Sequence, residues 1–212
     1  MSKTTLIILS ILGALLLAIF AVAATGVGIY NGFVGREQAV DAQWAQVQNV
    51  YQRRADLIPN LVNTVSGAAN FEKSTLVEVT EARASVGKIQ INSQNAPTDA
   101  AKFAEFEKAQ GQLSSALSRL LVVSEKYPDL KSNTNFRDLQ AQIEGSENRI
   151  TVERSRFNQT VQEYNTAVQT FPGVIIAGFA GRHPRPYFQA AAGSEVAPKV
   201  EFNFNKAAPA KP

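Results

Sequence analysis

The sequence predicts an all-α chain: an N-terminal transmembrane helix, an up-and-down four-helix bundle, and an irregular C-terminal tail. Three observations carry that expectation. No charged residue occurs from Thr4 to Gly35, long apolar frames with steps of three and four follow, and no comparable run before Phe171 alternates with the period of a strand. The boundaries that result are a flank over 1–5, the span over 6–29, the bundle over 30–171 and the tail over 172–212.

The span comes first. Leu6–Ile29 contains 24 residues whose only polar side-chain atoms are the hydroxyls of Ser10 and Thr25. At about 1.5 Å per residue it reaches roughly 36 Å, enough to cross a hydrocarbon layer of about 30 Å. Ala21-Val22-Ala23 offers a peptidase the small residues it needs, but the apolar run is too long for a signal core and continues past that point. An uncleaved anchor is therefore expected. Lys3 and Arg36 nearly balance across the span. A short Lys3-bearing N-terminus before an apolar core resembles an export signal left uncut, which places the domain outside the cytoplasm of a bacterium, anchored in the cytoplasmic membrane.

The bundle follows from its seams. One frame runs Phe33, Glu37, Val40, Trp44, Val47, Tyr51, Arg54, Ile58, Leu61, Val65, Ala68. A second runs Phe103, Phe106, Gln110, Leu113, Leu117, Leu120, Ser124, Tyr127, and a third Phe136, Leu139, Ile143, Ser146, Ile150, Glu153, Phe157, Thr160, Tyr164, Ala167, Phe171. Such stripes face partner helices. Pro59 either kinks one long helix or opens a new one capped by Asp56; the unbroken frame across it favours the kink, with a turn at Ser66-Gly67. Asn92–Asp99 reads as a loop with Thr98 or Asp99 capping the next helix, Tyr127-Pro128-Asp129 ends that helix, and Ser132–Asn135 offers caps for the last. Four antiparallel helices return the chain at Phe171 to the membrane that the first one left.

The tail then permits two readings. Phe171–Gly181 is apolar and glycine-rich, too short to span, and Arg182–Phe188 is basic, aromatic and proline-locked. In one reading Val174, Ile175, Ile176 and Phe179 enter the acyl boundary while Arg182, Arg185 and Tyr187 sit at headgroup level. In the other the same residues form a strap over the bundle end. Residues 207–212 are expected to fray.

Chemistry is sparse. A net charge of +3 gives no basic field for nucleic acid. Without cysteine there are no disulfides, thiol nucleophiles or zinc thiolates. His183 is the sole histidine, so the Glu-x-x-His pairs of a di-iron bundle are absent, and Glu78/Glu81 and Glu144/Glu147 read as solvated faces. Neither catalysis, a cofactor nor a small-molecule substrate is expected. Polar residues that interrupt the seams (Glu37, Arg54, Gln110, Glu153) either snorkel outward or form a register-fixing layer. Arg54, Asp56 and Glu153 are the candidates for that layer, with Arg54 either capping carbonyls freed at Pro59 or pairing with Glu153. Trp44 is expected in the core.

Several blocks resemble the LemA family of bacterial membrane proteins. They are Tyr30-Asn31, Arg36-Glu37, Trp44-Ala45-Gln46-Val47, the run Gln52-Arg-Arg-Ala-Asp-Leu-Ile-Pro-Asn-Leu-Val62, Val79–Arg83, Tyr164-Asn165, Phe171-Pro172, Pro186-Tyr187-Phe188 and Pro198–Phe202. The resemblance implies an anchor and a helical bundle, and no catalytic residues. Some members are associated with magnetosome membranes and others have gene neighbours encoding membrane proteases. The expected role is a structural scaffold in contact with the lipid bilayer, with self-association or a membrane protein as partner; the alternative is a regulatory adaptor for a membrane protease.

Overall fold

The structure, a computed structural model described over residues 3–67, 71–89 and 95–190, contains helices and no strand among those residues. Six helices follow in order: α1 (Lys3–Ser66), α2 (Lys73–Lys88), α3 (Ala100–Ser124), α4 (Pro128–Ser132), α5 (Thr134–Gln169) and α6 (Gly173–Phe179). The expected four therefore become six. Both additions, α4 and α6, are too short for apolar periodicity to announce them. Ala68, Asn70, part of the Asn92–Asp99 loop, the Pro198–Phe202 block and the end of the tail lie outside the described residues.

Span and first bundle helix are one element. α1 runs 64 residues, about 96 Å, with no break between them. Gly28, Gly32 and Gly35 are isolated, and single glycines weaken a helix by only about 1 kcal/mol each. Its first part is long and apolar enough to cross a membrane and is not buried against the rest of the chain. From Phe33 onward the same helix turns a buried stripe to the bundle: Phe33, Val40, Trp44, Val47, Tyr51, Arg54, Ile58, Leu61 and Val65. Pro59 lies inside α1, which continues to Ser66, as the unbroken frame suggests. Proline has no N–H for the Ala55 carbonyl one turn back. Arg83 of α2 takes that place, its Nε donating to the Ala55 oxygen at 3.2 Å.

The long helices pack in antiparallel pairs. α1 lies against α5, with Gln43 beside Glu153 and Arg54 beside Glu147. α2 lies against α3, with Glu72 beside Lys126 and Glu78 beside Arg119. Asp99 caps α3 by accepting from the Ala101 and Lys102 N–H groups, and Asn133 caps α5 through the Phe136 N–H. Along α5 the buried frame departs from strict heptads after Phe157 and continues through Val161, Tyr164 and Val168. α5 ends at Gln169, so Phe171 lies beyond the helix, in the turn, and is exposed.

The core is two apolar clusters divided by one polar layer. The cluster nearer the apolar N-terminal segment centres on Trp44, whose ring meets Phe103, Phe106, Phe157 and Phe188 at centroid distances of 5.6–6.2 Å. The distal cluster gathers Ile58, Leu61, Leu113, Leu117, Leu120 and Phe136. Between them Arg54, only 1% exposed, donates to Glu147 at 2.6 Å, to Ser114 at 2.7 Å and to the Gln110 carbonyl.

Tyr51 borders that layer, its ring edge-on to Phe106 at 5.3 Å. Burial pushes its phenol from 10 up to about 12, against the pull of Arg154 and Arg54. A raised folded value means the stabilisation is complete below pH 10 and is lost as pH rises through 12. Two units correspond to about 3 kcal/mol. Tyr51→Phe keeps the ring and should remove that loss, so urea midpoints at pH 9 and pH 11.5 should differ less in the variant. An equal fall in both proteins would show that the phenol stays uncoupled from folding.

Candidate functional site

The end of the bundle next to the apolar N-terminal segment collects the tail residues that the sequence singles out. After α5 the chain turns at Phe171-Pro172 into α6, and Gly181, at a φ of 63°, redirects it. That positive φ suits glycine, which has no Cβ to clash. Residues 182–190 then run extended along the bundle. This segment is a strap, held at three levels.

Glu37 makes the lowest attachment. One carboxylate oxygen accepts from Arg182 and the other from Arg185 at 2.6 Å. Arg185 also donates to the Ala96 carbonyl at 2.9 Å, closing the strap onto the segment before α3. The Arg182 guanidinium lies over the Tyr30 ring at 5.9 Å and that of Arg185 over Tyr164 at 6.0 Å. A hydrogen bond with Tyr30 pushes the Arg182 guanidinium up, burial opposes this, and Glu37 adds to the rise. Burial and the Glu37 charge likewise push the Tyr164 phenol up, against Arg185 and Arg182.

Two asparagines hold the middle. Asn165 donates its amide to the Arg185 carbonyl and accepts from the Arg185 N–H, at 2.9 and 2.7 Å. Asn158 does the same for Phe188, at 2.9 and 2.8 Å. The two lie seven residues apart on one face of α5, so the extended strap finds one amide clamp at each of two stations. Each clamp satisfies a backbone N–H and C=O that would otherwise be buried without partners. The third level is Glu107, which accepts from the Gln189 N–H at 3.0 Å and from Arg154 at 2.9 Å. Burial pushes the Glu107 carboxyl up, against that N–H and Arg154. Arg154 lies over the Phe188 ring at 4.5 Å.

The candidate residues separate accordingly. Arg182 and Arg185 turn inward to Glu37, which corrects the headgroup reading for both. Ile176 packs against the core, Tyr187 is partly exposed, and Ile175 and Phe179 stay exposed on α6. In the polar layer Arg54 is present as expected, but its acidic partner is Glu147 rather than Glu153. Glu153 lies about two helical turns along α5, bonded to Gln43 at 2.7 Å and Arg156 at 2.8 Å. Asp56 is exposed and accepts from Gln52 at 2.7 Å, outside the layer. A 3.6-residue period explains both shifts: Asp56 is two positions from Arg54 and faces away from it. Glu147, read from its spacing as a solvated carboxylate, is the counter-charge. Glu78 pairs with Arg119 on the surface.

Reasoning from sequence missed Asn158 and Glu107, and it named Asn165 and Phe188 only within larger blocks. A repeated amide at seven-residue spacing was the available sign. Two clefts adjoin these groups. One, of about 420 Å³, lies between Glu37, Tyr164 and the strap residues Arg182–Arg185. The other, of about 530 Å³, opens between α1, α2 and α3, lined by Gln48, Gln52, Arg83, Val86 and Phe106. Both Glu37 carboxylate oxygens are engaged by the two arginines, and no group of three acidic or imidazole side chains able to hold a metal occurs among the described residues. This geometry fastens segments together.

Comparison with known proteins adds a lineage. A model of the LemA family matches residues 43–202. Magnetosome protein MamQ 2 of Paramagnetospirillum magneticum is 26% identical over 188 residues, covering 82% of this chain and 69% of that protein. Magnetosome protein MamQ of Magnetospirillum gryphiswaldense is 26% identical over 174 residues, 75% of this chain and 64% of that one. Protein LemA of Metamycoplasma hominis is 22% identical over 160 residues, with shares of 72% and 68%.

Proposed function

The chain belongs to the LemA family, and on that premise we propose that it is a single-pass bacterial inner-membrane protein with a non-catalytic scaffolding role. The observation that carries this reading is the continuity of α1. One helix carries the exposed apolar segment and then the central seam of the bundle, with no linker between them. A domain meant to diffuse on a tether would need flexible residues at that point. The inward pairing of the charged tail and of Arg54 supports a structural role, because the convergent charged groups are held by one another. The relatives named as magnetosome proteins favour the same assignment. The soluble domain is placed outside the cytoplasm, on the strength of the Lys3 flank.

A second reading is an adaptor whose bundle reports a state to a membrane protease, and the unbroken α1 also favours it. Crosslinking with mass spectrometry in intact cells separates the two. Self-crosslinks between bundle surfaces are expected for the scaffold, whereas one dominant enzyme partner would transfer the assignment to the adaptor. In the same cells the protein should stay in the membrane fraction through a carbonate wash and retain Met1 or Ser2. A mature N-terminus near Ala24 would remove the anchor.

A further inference from the structure

We propose that α6 is an interfacial foot, a short helix that rests its outer face in the headgroup–acyl boundary of the bilayer beside the span. The proposal rests on the anchoring reading above and adds a second, separate lipid contact to it.

Sidedness is the first argument. Gly173 and Ala177 of α6 are buried against the bundle. The opposite side presents Phe171 at 79% exposure, Val174 at 47%, Ile175 at 52% and Phe179 at 91%. Val174, Ile175 and Phe179 share one face of the helix, and Phe171 lies in the turn that leads into it. Elsewhere in the bundle the exposed aliphatic residues stand singly on separate helices, as Val77, Val122 and Val152 do. Isolated apolar residues are ordinary on a protein surface, but a contiguous patch marks a contact. No charged residue occurs from Phe171 to Gly181, and the two arginines that follow are bound to Glu37.

Position along α1 identifies the occupant. A Cβ built on Gly26 would lie 3.9 Å from Ile176 Cδ1, and one built on Gly173 would lie 3.3 Å from the Phe33 ring. α6 therefore lies beside residues 26–33 of α1. The 20 residues from Leu6 to Thr25 fill about 30 Å of hydrocarbon. The foot thus begins where the hydrocarbon ends, and Arg36 stands ten residues, about 15 Å, further out. Its apolar face is continuous with the exposed apolar surface of the span. Lipid at this depth accepts apolar side chains, with interfacial helices sinking by about 5–10 Å. A seven-residue helix cannot hold itself in an interface, and here the bundle holds it. Gly173 fixes the join, since a Cβ there would meet the Ala167 carbonyl oxygen at 2.2 Å.

The test uses the full chain, which has no cysteine, in vesicles of phosphatidylcholine and phosphatidylglycerol. Phe171→Cys, Phe179→Cys, Leu16→Cys and Val122→Cys each receive a nitroxide, and collisions with oxygen and with a water-soluble nickel chelate are compared by EPR. Leu16 marks the span and Val122 the water-facing bundle; all four side chains are exposed, so the labels leave the core intact. Labels at 171 and 179 should show an oxygen-to-nickel ratio several-fold above that at 122 and below that at 16. A ratio equal to that at 122 places the foot in water and overturns the proposal, while a lipid value at 16 leaves the anchor standing. Suppression of both collisions at 171 and 179 would mean a protein cover, such as a second copy, and overturns it equally. A water-like ratio at 16 removes the anchoring reading itself, and the foot with it.

Discussion

Glu147→Ala is expected to lower the unfolding free energy of the bundle by about 3–5 kcal/mol, because it strands the guanidinium of Arg54 inside the core. Arg54 is 1% exposed, so its guanidinium stays buried when the carboxylate is gone. Ser114 and Gln110 still accept its protons but bring no charge. The reverse change is milder. Glu147 is 35% exposed and can turn to water once Arg54 is gone. Arg54→Met should then cost mainly the orphaned Gln110 amide, about 1–3 kcal/mol. The double variant Arg54→Met, Glu147→Ala should cost less than the two singles added, because each removes the other's penalty. Urea midpoints read by the emission of Trp44, the only tryptophan, give all three values. Additive effects of a few tenths would mean that the layer contributes nothing to stability.

Phe188→Ala should cost about 3–5 kcal/mol and release the strap. Phe188 is 5% exposed although it belongs to the tail, and its ring meets Trp44, Phe103 and Phe157 at 6.2, 4.7 and 5.4 Å. Its removal leaves a cavity against the tryptophan and exposes that ring to water, so Trp44 emission should shift red in the folded protein. Brief proteolysis should then cut between residues 182 and 190, where the backbone is held by the side chains of Asn158, Asn165, Arg154 and Glu107. An unchanged emission maximum with an unchanged melting temperature would mean that the strap is an ornament on a self-sufficient core.

How far the sequence led depends on what each residue packs against. The α1 seam was legible almost completely, Phe33 to Val65, because a long helix repeats one periodicity many times. The caps Asp99 and Asn133 were legible for the same local reason. The polar layer was legible as to Arg54 and not as to Glu147, since an interruption in a frame reveals burial while its partner comes from another helix 93 positions away. Pro59 called for a compensating guanidinium, and the one supplied is Arg83, from the helix after the turn. The strap was least legible. An extended segment read through its backbone by Asn158 and Asn165 leaves no period in its own side chains, and Phe188 reaches the core as a single anchor. Even so, blocks that carry the family resemblance meet in space: Trp44 touches Phe188, and Arg83 bonds to Ala55 within the Gln52–Val62 run.

The unbroken α1 also makes the molecule a lever. From Thr25, near the edge of the hydrocarbon, to Ser66 it extends 41 residues, roughly 62 Å. If the buried part of the helix tilted by about 10°, as a change in bilayer thickness can demand, the far end would sweep roughly 11 Å. The helices packed on α1 must travel with it, since Arg54, Trp44 and Ile58 are locked among them. On the anchoring proposed above, a small tilt of the apolar segment would become a displacement about the width of a helix at the far end of α1.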